Sequence, residues 1–511
     1  MFAIIRAITR LAPHSRLYLN RTMQQPHHHS QSSDDAQTDG QLETFPAKWQ
    51  ITILSVLPLL FLVMPPAVAY GQKPETPPSE RRDQQPPHLG TRKAGEDWPQ
   101  FLGPTGDSKS PESNILKDWR NDALQVIWQV PLLQSYGAPT ISRGRLFLFD
   151  SERVRRGQNV AKLLCLNSET GEKQWEYRYE YEYSDQYGYN DGPRCSPIVD
   201  GDRVYIYGVD GRLDCVNVSD GTEIWHVNTS AKYNVIQNFF GVGSNPVIHG
   251  NLLIAMVGGS PPTTRRIDLA KGNGSGIVAF DKFTGKEVYR FSNQLASYAS
   301  LKLTDSEQRS RCLAFTRGGL LSFDPANGKQ DFFFDWRAPI LESVNASVPV
   351  VFDDRIFISE TYGPGSALLD FSGKTIWKDE RNTRDKAMQT HWNTAIYHKG
   401  FLYGSSGRHQ YNAELRCINA ATGKIMWSEP GLSRCSLLYV DDHLICLSET
   451  GQLLLLKATS QSYQLVTQCT FSEQGRNLLK PPAWAAPVLA HGLLYLRGDD
   501  RLICTELIPT R

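Results

Sequence analysis

The stretch "LNSETGEKQW", residues 166–175, decides how this chain is read. It has an apolar start, a polar turn that ends on a glycine, and a tryptophan four residues further on. The pattern returns as "VNVSDGTEIW" (216–225), "FDKFTGKEVY" (280–289), "FDPANGKQDF" (323–332), "LLDFSGKTIW" (368–377) and "INAATGKIMW" (418–427). The glycines fall at 171, 221, 285, 328, 373 and 423, so the spacing is 43 to 64 residues. A period of this size marks a repeat architecture, and each repeat is one supersecondary unit that cannot bury its apolar face alone.

A second element precedes each unit, as in "SPIVDGDRVYIYG" (196–208), "VPVVFDDRIFIS" (348–359) and "APVLAHGLLYLRG" (486–498). It reads as a short strand, a tight turn and a second strand. A third strand follows, as in "VDGRLDCVNV" (209–218), and the ten-residue unit leads from it into a fourth. Four antiparallel strands per repeat, packed radially, predict an all-β, eight-bladed β-propeller. Seven first strands are plain, and a degenerate "YASLKL" (298–303) supplies the eighth. The last repeat, from Ala485 to Cys504, stops after three strands. Its fourth is expected from "LQVIWQV" (124–130), which closes the ring and places the start of the fold just before residue 124. The "SETG" at 448–451 is read as a turn between second and third strands, and the glycine-free "ATSQSYQLV" (458–466) as that blade's own unit.

In the repeated unit, Gly171 supplies a turn residue with φ > 0. Thr170, Asp220, Asn327 and Ser372 are expected to hydrogen-bond the turn backbone. The large aromatic at the end, Trp175, Trp225, Tyr289, Phe332, Trp377 or Trp427, is expected on the outer strand, packed against the next blade, with Trp128 in that place at the ring closure. Tyrosine and phenylalanine serve twice, so the position requires a large flat surface and not indole chemistry.

Composition narrows the function classes. With 54 Lys+Arg against 53 Asp+Glu and no basic stripe with interleaved aromatics, nothing points to nucleic acid. The nine cysteines lie mostly in apolar runs, and there is no C-x-x-C or C-x-x-C-H, which excludes a zinc ribbon and an attached c-type haem. They read as small buried hydrophobes, with room for an occasional disulfide. No metal site is assigned. His27, His28 and His29 sit in a polar tract with nothing to hold a coordination geometry.

Residues 1–50 read as a disordered leader. The apolar run Ile51–Met64 has signal-peptide length, and "AVA" at 67–69 is a small-x-small cleavage site, so 51–69 is read as an export signal cut after Ala69, with a single uncleaved membrane anchor as the alternative. The true start lies further along on this reading, at Met23 for instance. Residues 70–96 read as a proline-rich linker and 97–508 as the propeller. The expected location is the periplasm or cell envelope of a bacterium.

The unit A-x-x-x-T-G-x-x-x-W behind S-P-x-x-x-G-x-x-Y resembles the pyrroloquinoline-quinone (PQQ) repeat. That repeat is shared by quinoprotein alcohol dehydrogenases and the propeller of the outer-membrane barrel-assembly machinery. "DWPQFLGPTGDS" (97–108) and "GPRCSPIVDGDRVYIYG" (192–208) look like an exported family called PQQ-binding-like β-propeller proteins. The resemblance implies the fold over residues 97–508. It implies activity far less, because a scaffold repeat does not specify a site. The quinoprotein enzymes carry adjacent cysteines over the quinone and a calcium set of Glu, Asn and Asp; this chain has no Cys-Cys, and no matching metal motif can be placed. Without a hard cation, hydride abstraction loses its Lewis acid.

A site is expected where the innermost strands begin, at the mouth of the central channel. Tyr136, Arg194, Asn245, Asn345, His391, Trp392, Asn393, Arg434 and Trp484 fall there. Such a set suits a polar planar or anionic ligand, or merely solvates and plugs the channel. No catalytic residue is assignable; His391, in "THWNT" (390–394), is the weak candidate for a general base. "YRYEYEYSDQYGYND" (177–191) is read as an ordered surface loop between blades, with a binding loop for a peptide strand or a sugar as the alternative, and "GGSPPTTRRIDLAKGNGSG" (258–276) as a long hairpin insertion without a phosphate-binding pattern. The expected function is a monomeric, non-catalytic binding scaffold for a protein, polysaccharide or other polymer, without a cofactor. The alternatives are a periplasmic PQQ- and calcium-dependent alcohol dehydrogenase, and a hydrolase or lyase built on the channel His and Arg residues.

Overall fold

A computed structural model describes residues 85–90, 92, 94–120, 123–236, 239–306 and 309–510. The leader, the 51–69 segment and linker residues 70–84 lie outside the described residues. Among the described residues no helix is long and apolar enough to cross a membrane.

Eight four-stranded antiparallel sheets form the blades of a propeller. Blade 1 shows the pattern: Thr140–Ser142 innermost, then Arg145–Arg155, Gln158–Asn167 and, outermost, Lys173–Glu182. Blades 2 to 7 repeat it, with innermost strands Ile198–Asp200, Val247–His249, Lys302–Asp305, Val350–Phe352, Ile396–His398 and Cys435–Val440. Blade 8 joins Val488–Ala490, Leu493–Arg497 and Arg501–Glu506 to Val126–Pro131 from the front of the chain, with Trp128 opposite Cys504. The long insertion lies between the second and third strands of blade 3, Leu252–Met256 and Ile277–Asp281. The stretch 177–191 is only partly a loop, because residues up to Glu182 continue the outer strand of blade 1.

The innermost hairpins of blades 2 and 3 turn on one glycine, Gly201 or Gly250, while five others turn on two consecutive residues at positive φ, a geometry that suits the twist of the flanking strands. Asp353-Asp354 (φ 45° and 56°), Asp441-Asp442 (51° and 58°) and His491-Gly492 (53° and 78°) provide it. Aspartate pairs tolerate this region better than branched residues do. In the repeated unit a different residue from the expected one does most of the turn bonding. Asn167, Asn217, Asp281, Asp324, Asp370 and Asn419, at the head of each unit, accept backbone N–H groups from two to four residues ahead. Asp220 and Asn327 add bonds to Thr222 N and Lys329 N.

The core lies in the gaps between blades. Phe147, Phe149, Leu163 and Cys165 of blade 1 pack with Val204, Ile206 and Val216 of blade 2. Seven of the eight gaps are crossed by an aromatic from the outer strand of one blade to the turn of the next. The indole N–H of Trp175 donates to Val218 O (3.0 Å), that of Trp225 to Lys282 O (3.0 Å), that of Trp377 to Ala420 O (3.0 Å) and that of Trp427 to Thr459 O (2.9 Å). Tyr289 donates its hydroxyl to Pro325 O (2.6 Å), and Phe332 lies against Gly373. Trp128 donates to Ser168 O (3.2 Å) and joins blade 8 to blade 1. Opposite most of these aromatics stand small residues: Cys165 faces Trp175, Cys215 faces Trp225 and Cys417 faces Trp427, whereas Leu368 faces Trp377. All nine cysteines are free, and all but Cys469 are buried.

Blade 7 breaks the pattern. Thr467 occupies the position of the outer aromatic, opposite Leu455. Trp119, buried, belongs to the same apolar cluster as blades 7 and 8, and its backbone N–H donates to Thr467 Oγ1 (3.3 Å). Its neighbour Leu116 N donates to Leu507 O of blade 8 (2.8 Å). Trp119 thus fills the gap from outside the blade series.

The fold therefore starts well before residue 124, and the last part of the 70–96 linker is packed. Pro86 O accepts from Arg143 Nε (2.6 Å), Leu89 N donates to Arg143 O (2.9 Å), and Arg92 pairs with Glu506 (2.5 Å). Beyond it, residues 98–110 form a strap across one end of the channel. Trp98 exchanges backbone bonds with Ile141 of blade 1, Pro99 O accepts from Val199 N of blade 2, Thr105 O and Gly106 O accept from Lys302 Nζ of blade 4, and Ser108 and Ser110 bond Leu437 O and Tyr439 O of blade 7. This end is where the innermost strands finish.

Truncating the aromatic that bridges a gap should leave a cavity and an orphaned carbonyl. Trp175→Ala is expected to lower the unfolding free energy by about 3 kcal/mol, and Trp119→Ala, more deeply buried, by about 3–5 kcal/mol. Urea unfolding followed by circular dichroism checks both; an unchanged midpoint for Trp119→Ala would show that the strap is not part of the blade packing.

Candidate functional site

A cavity of about 380 Å³ opens at the channel end opposite the strap, where the innermost strands begin. Phe101 and Leu102 of the strap project into it from below, so the channel is a pocket with a floor. Leu102 sits at φ 62°, and next to it Gly103 at φ 84° has no room for a Cβ, which would fall 2.9 Å from the Trp98 ring. The "FLG" of the strap is a turn wedged on Trp98.

Eight of the nine residues expected at the mouth line this cavity: Tyr136, Arg194, Asn245, His391, Trp392, Asn393, Arg434 and Trp484. Asn345 does not. It is buried, and its side-chain N–H groups donate to Thr316 O (2.8 Å) and Trp336 O (3.1 Å), so it ties backbone together behind the wall. The other two asparagines line the cavity but spend their amides on structure. Asn245 accepts from Ser196 N (2.7 Å) and donates to Ser300 Oγ (2.8 Å); Asn393 accepts from His391 N (3.1 Å) and donates to Ser405 O (2.9 Å).

The wall is chiefly aromatic. Trp484 touches Tyr136 (5.0 Å between centroids), Trp392 (4.8 Å) and Tyr189 (5.7 Å), and Tyr189 touches Phe240, which touches Tyr298 (5.4 Å). On the other side Trp392 meets His391 (5.0 Å), which meets Tyr362 (5.9 Å). Tyr187, Tyr189, Phe239, Phe240, Tyr298, Tyr362, Arg408 and His409 are site residues that the sequence did not single out as such. The tyrosine-rich stretch 177–191 was the visible signal for two of them. The rest sit in connections with no repeat register.

Two of the three cavity arginines are already paired. Arg194 bonds Asp185 (2.8 Å) and lies over Tyr136 and Tyr183. Arg434 bonds Glu449 (2.7 Å), lies 4.3 Å over Trp392, and shares Glu449 with the indole N–H of Trp484 (2.8 Å). These pairs fix the planes of the guanidinium groups against the aromatic rings. Arg408 lies 4.4 Å over Tyr362 and makes no ion pair among the described residues.

His391 has the Tyr362 hydroxyl 3.3 Å from Nε2, and its Nδ1 is buried without a partner. No carboxylate orients it. Burial, with Arg434 and Arg408 nearby, pushes its pKa down to about 3. A base that weak and that unsupported does not suit general-base work near neutral pH.

The donor set does not fit a quinone held through calcium. A hard cation of this kind takes six or more oxygens. The described lining supplies one carboxylate, Glu342, while Asp185 and Glu449 are bound to arginines and the asparagine amides hold backbone. Among the described residues one acid and imidazole group comes within 4.8 Å, that of Asp214, Glu223 and His226. It lies away from the cavity, and the Arg212 guanidinium bonds both Asp214 (2.8 Å) and Glu223 (2.9 Å), standing where a cation would.

Residues 120–268 and 257–464 match the family model described as outer membrane protein assembly factor BamB. Among solved structures the chain is similar to BamB from Moraxella catarrhalis, at 14% identity over 76% of this chain and 99% of that one, with a TM-score of 0.51. It is also similar to the quinohemoprotein alcohol dehydrogenase from Comamonas testosteroni, at 14% identity over 81% of each chain, with a TM-score of 0.47. At such an identity the likeness to the Moraxella catarrhalis protein shows the fold. No curated protein matches the chain.

His391 gives a test of this electrostatic picture. Its folded pKa lies below the ordinary 6.5, so the unfolded chain binds the extra proton. The stability it contributes is present above pH 6.5 and is lost as pH falls from there toward 3. The imidazole should show no NMR titration between about pH 7.5 and 4.5, and His391→Gln should flatten the loss of stability on the acid side. A normal titration near 6.5 would mean that the ring is exposed.

Proposed function

The chain belongs to the PQQ-repeat propeller family whose model is described as outer membrane protein assembly factor BamB, and from that premise we propose that it is an exported, non-catalytic binding protein. Its partner is a protein or polymer that enters the aromatic cavity at the channel mouth. The observation that carries this reading is the state of the polar groups in the wall. The paired arginines, the spent amides and the unsupported imidazole leave no base, nucleophile or metal set poised for reaction among the described residues of the wall. What remains is a floor and walls of flat rings with fixed cations, which is equipment for recognition.

Family membership supports the scaffold role, since the matched family is named for an assembly factor. Export rests on the apolar run and "AVA" site of the sequence. Location in the periplasm or envelope and a monomeric state go with the same proposal.

A photo-crosslinking residue placed at Tyr189, on the rim, is expected to capture a macromolecular partner in cells. The same residue at Ile376, on an outer strand remote from the mouth, is not. Mass spectrometry of the adducts reads the difference, and equal capture at both positions would overturn the mouth as the binding site. In parallel, the purified protein with added PQQ and Ca²⁺ should show no dye-linked alcohol oxidation. Turnover that depends on both additions would establish the dehydrogenase instead.

A further inference from the structure

One side of the cavity gathers basic groups around an arginine that, among the described residues, has no acid partner. Arg408 is held flat on Tyr362 without an ion pair. Arg434 stands over Trp392, and His409 is exposed beside it. Between them is His391, whose Nδ1 is buried and unpartnered. The Tyr362 hydroxyl meets Nε2 at 3.3 Å, in a hydrogen bond whose direction the tautomer sets. Glu342, the carboxylate that lines the cavity, belongs to the exposed loop between blades 4 and 5.

The rim carries a second signal. Tyr187 and Tyr189 are 51% and 48% exposed, and Ile340 and Leu341, on the loop between blades 4 and 5, are 40% and 39% exposed. Apolar surface therefore continues from the cavity out onto the face. A small acid buried inside would have no use for it; a chain leaving the cavity would cover it.

Resting on the reading of the cavity as a partner site, we propose that it captures the free carboxyl terminus of a polypeptide. The terminal carboxylate accepts from Arg408. The last side chain lies among Tyr136, Trp392 and Trp484, and the preceding residues leave over the tyrosine and leucine rim. An arginine fork matches a planar carboxylate, and charge-assisted bonds of this kind are the strong ones.

Titration calorimetry on the exported protein tests this with three probes: the peptide Ala-Gly-Ala-Gly-Tyr with a free carboxyl end, the same peptide with a C-terminal amide, and N-acetyltyrosine. The free acid should bind at least about tenfold tighter than the amide. Arg408→Gln, a substitution at a partly exposed position, should bring the acid down to the amide's level and leave the amide unchanged. N-acetyltyrosine should bind more weakly than the pentapeptide, because it lacks the chain that covers the rim. Equal affinity for acid and amide would overturn carboxylate capture. Equal affinity for N-acetyltyrosine and the pentapeptide would overturn the polypeptide and leave a small carboxylic acid as the ligand. No binding by any probe would overturn the proposal too, and the partner site itself then stands or falls on the Tyr189 crosslink.

Discussion

The contact on which the propeller depends is a flat ring laid on a turn glycine of the neighbouring blade. Gly221 shows why both partners are fixed. It sits at φ 76°, where L side chains are disfavoured, and a Cβ there would come 2.6 Å from the ring of Trp175. The glycine permits the turn and the approach together, and the indole N–H then reaches a carbonyl of the same turn. Each ring removes the last water-accessible side of a gap filled by strand side chains. The contact is directional, from one blade to the next, and apart from the gap after blade 7, which Trp119 fills, the series runs on until blade 8 meets blade 1. Trp128 on Gly171 makes that join. Arg497 strengthens it from the mouth side, donating to Gly137 O and to Ser135 O and Oγ, while Asp150 holds the same loop through Leu133 N and Gln134 N.

A ring closed in this way encloses a channel, and the strap decides what the channel becomes. Phe101 and Leu102 floor it at the end where the innermost strands finish, which leaves one mouth for a ligand. The strap reaches blades 1, 2, 4 and 7 before Trp119 enters the gap that blade 7 leaves without its own outer aromatic. The same segment thus compensates for an irregular blade and shapes the cavity. A loss of packing at Trp119 would loosen the chain that holds the floor.

The fold was legible in the sequence because a repeat averages over its own errors. Six copies of one unit survive the loss of tryptophan at Tyr289 and Phe332, and a blade as degenerate as the fourth is still counted by its neighbours. The ends of the innermost strands follow from that register, which is why eight of nine mouth residues were found. Asn345 falls one residue out of that register: Tyr136, Arg194, Trp392 and Trp484 stand four residues before their innermost strands, and in blade 5 that place belongs to Ala346, which lines the cavity while the Asn345 amide bonds the backbone behind it. The strap, Phe240, Tyr362 and Arg408 were not legible, because each sits in a segment that occurs once. The early start of the fold was missed for the same reason: proline-rich, polar residues before 97 carry the composition of a linker, yet backbone carbonyls at Pro86 and Pro87 accept from Arg143 and Arg145 of blade 1.

The division between repeated and unrepeated sequence is also a division of labour. Repeated positions meet a demand that is identical at every gap, so they converge on glycine, a flat ring and a small residue opposite. The mouth faces a demand that occurs once, and each blade contributes a different side chain to it. Two of its arginines are anchored from behind by Asp185 and Glu449, which fixes their direction but cancels much of their charge at a distance. Arg408 has no such anchor and keeps its charge. The field inside the cavity is therefore uneven: balanced near Arg194 and Trp484, positive near Arg408 and His391. A ligand with its charge at one end and its apolar surface along the rest matches that asymmetry, whereas one charged throughout would have to displace the acids that hold Arg194 and Arg434 in place.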